Sequence, residues 1–281
     1  MITSCSVPGT IALTFDDGPY LYTNDMLDLL DDLDVKATFF VAGNNRGKGS
    51  IDDPSHGWVD VLRRMYNAGH HIASHTWTHR DLNKVNSTIQ WSEIVYNDIA
   101  FLNIFCWIPT YMRPPYLECS AESGCADLLE SLGYHIITNN IDTKDYMYDD
   151  PQLIQNSKDR FSSGVSTGSD DNDYIVLAHD VHHQTVVNLT SFMVDTARQR
   201  GYKLVTVGEC LGDPKENWYR NAPKSESTTT TTRRPPTSTS TSSIPTQTEL
   251  TISPNQRCGG DTGYTCQGSA FGNCCSHYGY W

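Results

Sequence analysis

The chain has 281 residues, with 20 Lys and Arg against 33 Asp and Glu, and so a formal net charge of −13. That length allows one sizeable core plus an appendage, and the acidic balance argues against a nucleic-acid partner or an anionic membrane surface. No apolar run approaches the ~20 residues that cross a bilayer, and Met1-Ile2-Thr3-Ser4-Cys5 reads as the start of a mature chain rather than a leader.

Short β-branched or aromatic runs alternate with longer helical patterns up to about Trp218, which predicts a parallel sheet with crossover helices. The expected strands are Ile11 to Phe15, Ala37 to Val41, His71 to Ser74, Tyr111 to Arg113, Tyr134 to Asn139, Tyr174 to His179 and Lys203 to Val207. Helical spacing covers Asn24 to Leu33, Trp58 to Asn67, Thr88 to Phe105 and Val186 to Arg200. The fold class is therefore α/β, a distorted (β/α) barrel of about seven parallel strands. Barrels of this kind place chemistry at the carboxyl ends of their strands. Asp16-Asp17, His75, Arg113, Asp142 and His179 fall at or just beyond such ends, from five different strands.

The first strand runs into Thr14-Phe15-Asp16-Asp17-Gly18-Pro19. Adjacent carboxylates at a strand end repel each other, so a metal is the obvious group to hold them. The third strand runs into His75-Thr76-Trp77-Thr78-His79, whose imidazoles are spaced to share one ion. His-x3-His spacing alone is weak: about 0.4 such pairs are expected by chance, and His71/His75, His75/His79 and His179/His183 all have it. The His75/His79 pair gains weight because it follows a strand and can converge on Asp16-Asp17. Two His and one Asp would leave an open coordination position.

Nine cysteines and the triplets Asn86-Ser87-Thr88 and Asn188-Leu189-Thr190 suggest an oxidising compartment and a secreted glycoprotein. Cys5 and Cys210 are placed to close a very long loop, and Cys119 and Cys125 a short one, leaving Cys106 as a buried thiol. Residues 1–221 form the main domain. Residues 222–254 are a Ser/Thr/Pro-rich linker. Residues 255–281 form a small, truncated module whose four cysteines would have to hold its shape.

The chain resembles the polysaccharide deacetylases, carbohydrate esterase family 4, and most of all the fungal chitin deacetylases. The resemblance is carried by Thr14-Phe15-Asp16-Asp17-Gly18-Pro19, Gly69 to His79, Arg113-Pro114-Pro115-Tyr116, Asp142-Thr143-Lys144-Asp145-Tyr146 and Leu177-Ala178-His179, in family order. It implies that Asp17, His75 and His79 bind a divalent metal, Zn2+ with Co2+ as an alternative. It makes Asp16 the catalytic base, Arg113 its partner, His179 the general acid and Asp145 the carboxylate behind that acid. The backbone N–H of Tyr116 would donate to the oxyanion, Tyr146 and Leu177 would line the acetyl pocket, and Trp77 is a candidate sugar platform. His182 and His183 read as solvated loop residues.

Cys258-Gly259-Gly260 and Cys274 to Tyr280 resemble the first half of a hevein-type chitin-binding module, with Ser276, Tyr278 and Tyr280 at its sugar-gripping positions. The expected activity is hydrolysis of N-acetyl groups on chitin or N-acetylglucosamine oligosaccharides by a secreted monomer. An O-acetyl esterase acting on acetylated xylan and a non-catalytic chitin-binding protein are the alternatives. A chain-cleaving glycosidase is disfavoured, since it leaves the two His without work.

Overall fold

The computed structural model describes residues 1–221 together with 251–252 and 264–265. It divides into one unit over Met1–Arg220 and a second over Asn221–Trp281. Within the second, β11 (Thr251–Ile252) and β12 (Tyr264–Thr265) pair in parallel. The linker and the hevein-type positions Ser276, Tyr278 and Tyr280 lie outside the described residues.

The first unit is built on β1 (Thr10–Asp16), every residue of which is buried. Around it run α1 (Thr23–Asp32), β2 (Thr38–Val41), α2 (Trp58–Asn67), β3 (His71–Ser74), α3 (Ser87–Phe105), β4 (Trp107–Pro109), β5 (Tyr111–Met112), α4 (Cys125–Ser131) and β6 (His135–Ile136). β7 (Ile141–Asp142), α5 (Gln155–Gly164), β8 (Tyr174–His179), α6 (Thr190–Gln199), β9 (Lys203–Val205), α7 (Val207–Cys210) and β10 (Tyr219–Asn221) follow. Seven parallel strands run in the order β6-β5-β3-β2-β1-β8-β7, with ends that do not meet, so the sheet is a half barrel. β9 adds to the first half of β1, pairing Thr10 with Lys203, while β2 pairs with its second half.

Strand alternation sorts the core into layers. Ile11, Leu13 and Phe15 pack outward against the helices with Phe39, Ile72 and Val176, while Ala12 faces inward with Phe40, Ala73, Tyr111 and Ile175. The inward alanines Ala12 and Ala73 precede polar side chains further along the same face.

Several expected boundaries shift for identifiable reasons. The strand expected to reach Val207 stops at Val205, because Thr206 starts α7 with a reciprocal cap to Glu209. The strand expected over Tyr134 to Asn139 is ordered as a ladder only at His135–Ile136. The helix expected from Val186 opens with a π turn over Thr185–Leu189 before α6 begins. Two disulfides match expectation, Cys5–Cys210 across 205 residues and Cys119–Cys125 across 6. Cys106 does not: it is exposed at the left-handed C-cap of α3 and is disulfide-bonded, not a buried thiol. No helix among the described residues is long and apolar enough to cross a membrane.

Candidate active site

The inward face becomes chemical at its carboxyl end by continued alternation. Asp16 lies two residues beyond Thr14, His75 two beyond Ala73, Arg113 two beyond Tyr111 and His179 two beyond Leu177. Register then brings them together, since Asp16 is the direct partner of His179 across β1 and β8.

Arg113 organises this end from both its side chain and its backbone. Its fully buried guanidinium donates from Nη1 to Asp16 Oδ1 at 2.7 Å and Thr14 Oγ1 at 2.6 Å, and from Nη2 to the Thr138 carbonyl at 2.7 Å. It also lies 4.1 Å over the Phe40 ring. A buried cation without its carboxylate would cost several kcal/mol, so the pair is locked in one geometry. The Arg113 carbonyl accepts from His75 Nδ1 at 2.6 Å. That bond places the ring proton on Nδ1 and leaves the lone pair on Nε2. Burial pushes His75 down to about 4, so the imidazole is neutral near pH 7.

Asp17 leaves the strand in a left-handed conformation, φ 76°, which turns its carboxylate toward the two histidines. Its Oδ1 lies 3.1 Å from His79 Nε2 and 3.6 Å from His75 Nε2, and takes no hydrogen bond although it is buried. Burial opposes ionisation of Asp17, but the neighbouring His75, His79, His179 and Arg46 hold its carboxyl below the usual range. Ligand atoms of Asp17, His75 and His79 all lie within 4.8 Å of one another. A buried carboxylate oxygen without a proton donor, facing an imidazole lone pair, suits a cation. His79 and Tyr116, whose rings meet at 4.8 Å, also have left-handed backbones, φ 61° and 59°. Such conformations persist only where the surroundings hold them, and with Arg46 and Leu117, φ 54° and 61°, five of them border one cavity.

Opposite the triad stands His179. Its Nδ1 lies 2.8 Å from Asp145 Oδ1, and its backbone N–H donates to Asp145 Oδ2 at 2.7 Å. The Thr185 hydroxyl also donates to Asp145 Oδ2 at 2.7 Å. Burial would lower the His179 pKa, but the Asp145 charge and hydrogen bond, with Asp16 and Asp17 beyond, raise it to about 9. Asp145 itself is fully buried, yet His179 and Thr185 keep its carboxyl below the usual range. The imidazole is therefore cationic near pH 7, unlike His75 across the cavity.

Asp16, Asp17, His75, His79 and His179 border a cavity of about 610 Å³. Tyr116, Tyr146 and Leu177 line it as expected, with the Tyr146 ring 5.5 Å from that of His179. Trp77 does not: its ring packs at the end of β2, where a Cβ on Gly43 would meet it at 2.0 Å, and lies edge-on to Tyr96. His182, expected in solvent, lines the cavity and is held by Asp149 Oδ2 at 3.2 Å from Nδ1, whereas His183 is exposed. The loop after β2 adds residues that sequence reasoning missed. Asn45 and Arg46 line the cavity, and Lys48 is buried behind Asp17, its amine pushed down to about 7 chiefly by burial. The only sequence signal there is the Arg46-Gly47-Lys48-Gly49 stretch, which marks a turn without saying where it leads.

Residues 4–137 match the family described as polysaccharide deacetylase. The chain is 48% identical over 219 residues to a chitin deacetylase of Colletotrichum lindemuthianum, covering 78% of this chain and 86% of that protein. The solved structure of the chitin deacetylase from that fungal pathogen matches with a TM-score of 0.74 at 47% identity, over 78% of this chain and 94% of its own. The chain belongs to the polysaccharide deacetylase family. A second relative, a chitin deacetylase of Pestalotiopsis sp, is 41% identical over 280 residues, 100% of this chain and 83% of its own length. In this polysaccharide deacetylase the paired acids Asp16 and Asp17 and the imidazoles of His75, His79 and His179 border one cavity, with the buried Arg113 behind Asp16.

Proposed function

We propose that the chain removes N-acetyl groups from chitin or chitin oligosaccharides, releasing acetate and leaving glucosamine units. The observation that carries this reading is the opposed pair at one cavity. Asp16, acting as base, is aimed by Arg113, and His179, acting as acid, is held protonated by Asp145. Amide hydrolysis needs both, because a free amine is a poor leaving group unless it is protonated as the C–N bond breaks.

Asp17 Oδ1, His75 Nε2 and the His79 imidazole would hold a divalent cation, zinc or cobalt by the nature of these donors. Such an ion, when bound, supplies Lewis acidity to an acetyl carbonyl and to water. The chain's own residues do the rest. With Oδ1 engaged by Arg113, Asp16 presents Oδ2 as the acceptor for the proton of the attacking water. As the water oxygen bonds to the acetyl carbon, the backbone N–H of Tyr116 donates to the oxygen that gains charge. His179 then delivers its Nε2 proton to the sugar nitrogen as the C–N bond breaks, giving acetate and a free amine. Leu177 and Tyr146 border the space for the acetyl methyl.

Two disulfides and the similarity to fungal chitin deacetylases support a secreted enzyme that works outside the cell, which we propose acts as a glycosylated monomer. Residues 222–254 are proposed as a linker. A chitin-binding role is proposed for Ser276, Tyr278 and Tyr280 in the 255–281 segment.

Mass spectrometry of chitin oligosaccharides after incubation tests the reading. Acetyl groups should be lost at constant chain length, chelation should abolish the loss, and added zinc or cobalt should restore it. Shortened chains would contradict the reading, as would full activity in metal-free protein. Faster acetate release from acetylated xylan would shift it to an O-acetyl esterase.

A further inference from the structure

Asp17 holds a left-handed backbone, φ 76°, which a residue with a side chain keeps only when its surroundings enforce it. Two buried donors enforce it from the loop after β2. Lys48 Nζ donates to the Asp17 carbonyl at 3.3 Å and to the Gly18 carbonyl at 3.1 Å, and Asn45 Nδ2 donates to the Asp17 carbonyl at 3.1 Å. Lys48 is only 7% exposed, so water is poorly placed to take over these bonds. Its own carbonyl is fixed by Trp58 Nε1 at 2.9 Å, which anchors the loop to α2. On the other side of the turn, the fully buried Asp180 carboxylate, bonded to the Thr23 hydroxyl, packs on Gly18. A Cβ on Gly18 would meet Asp180 Oδ2 at 2.3 Å. The turn that presents Asp17 is thus held by the buried Lys48 amine and packed on the buried Asp180 carboxylate.

We propose that Lys48 is a positioning residue, a tethered amine whose grip on the Asp17 and Gly18 carbonyls sets the Asp17 carboxylate in place for a divalent metal before one arrives. The inference rests on the reading of Asp17, His75 and His79 as metal ligands. A ligand already held in its binding geometry spares the ordering cost of capture, and partners that orient metal ligands typically contribute about ten- to hundredfold in affinity. Lys48→Met keeps the length and packing of the lysine stem while deleting both bonds.

The test is titration of metal-free protein with zinc against a chromogenic chelator, which needs no turnover, alongside melting curves without metal. Lys48→Met should fold with its disulfides intact and bind zinc about ten- to hundredfold more weakly. Asn45→Ala, which removes one of the bonds to the same carbonyl, should weaken binding by a smaller factor. A lysine with only a structural role would lower the melting temperature and leave zinc affinity at the parent value; that result overturns the proposal. If Lys48→Met does not fold, parent affinity in Asn45→Ala overturns it equally. A parent chain that takes up no zinc contradicts the ligand assignment instead.

Discussion

His179 and His71 are imidazoles on the same inward face, yet burial and neighbours drive them to opposite ends of the pH scale. His71 is stacked on Trp218 at 4.4 Å and beside Tyr111, and burial pushes it down to about 3. His179 is 14% exposed and in contact with a buried carboxylate, and it rises to about 9. Only the second can deliver a proton at neutral pH. The rate on a chitin oligosaccharide should therefore fall as pH rises through about 9, where His179 loses its proton. Asp145→Asn removes the charge that favours the imidazolium while burial still opposes it, so this basic limb should move to lower pH. His179→Ala should cost roughly two to four orders of magnitude on the amide, and less on an activated ester, whose leaving group needs no proton. Paired pH–rate curves check this. An unmoved basic limb in Asp145→Asn would remove His179 from the role of acid.

At the scale of elements, the strands were legible wherever they were long and buried on both faces. The runs at β1, β2 and β8 carry near-continuous apolar or β-branched residues and appear almost residue for residue. The site was legible for the same reason. Asp16, His75, Arg113 and His179 extend the inward alternation of strands that the pattern already fixes, so their convergence follows from period and register. What escaped has little periodic content. β7 has 2 residues, and β4 with 3 residues pairs with the distant β10, whose 3 residues close a ladder no local pattern announces. α5 buries only Ser157 and Phe161, too few to show a helical stripe. Lys48 and Asn45 escaped because their positions depend on a loop path set by Gly47 and Gly49 at φ 69° and 81°. Trp77 sits in sequence between metal-ligand candidates, while its ring packs on Gly43 and edge-on to Tyr96.

For the whole molecule, the Cys5–Cys210 bridge joins the segment before β1 to the end of α7 and closes a loop across 205 residues. In the chain-entropy account, a loop of this size restricts the unfolded state by about 5 kcal/mol. The half barrel also carries a built-in acid sensitivity. An unfolded imidazole binds its proton near 6.5, but burial delays this to about 4 in His70 and about 3 in His71. Across that interval these two imidazoles hold more protons in the unfolded chain than in the folded one, so their contribution to stability is full above about 6.5 and falls as pH drops toward 4. Their share of the urea midpoint should decline between pH 7 and pH 4.5, opposed by the buried Asp98 and Asp180, whose carboxyls burial pushes up to about 7 and about 6. His71→Phe, which keeps a ring among Tyr111, Trp218 and Tyr219 without a titrating group, should make the decline shallower. An identical slope in the variant would mean that other groups set it.

The central claim is a division of labour between adjacent carboxylates: Asp16, held by Arg113, moves a proton, and Asp17, turned toward the imidazoles, holds a metal. Bound zinc and turnover measured together in Asp16→Asn and Asp17→Asn test it most directly. The account predicts that Asp16→Asn keeps its zinc while losing roughly two to four orders of magnitude in rate, and that Asp17→Asn loses the zinc itself. Zinc lost from Asp16→Asn and retained by Asp17→Asn would contradict it.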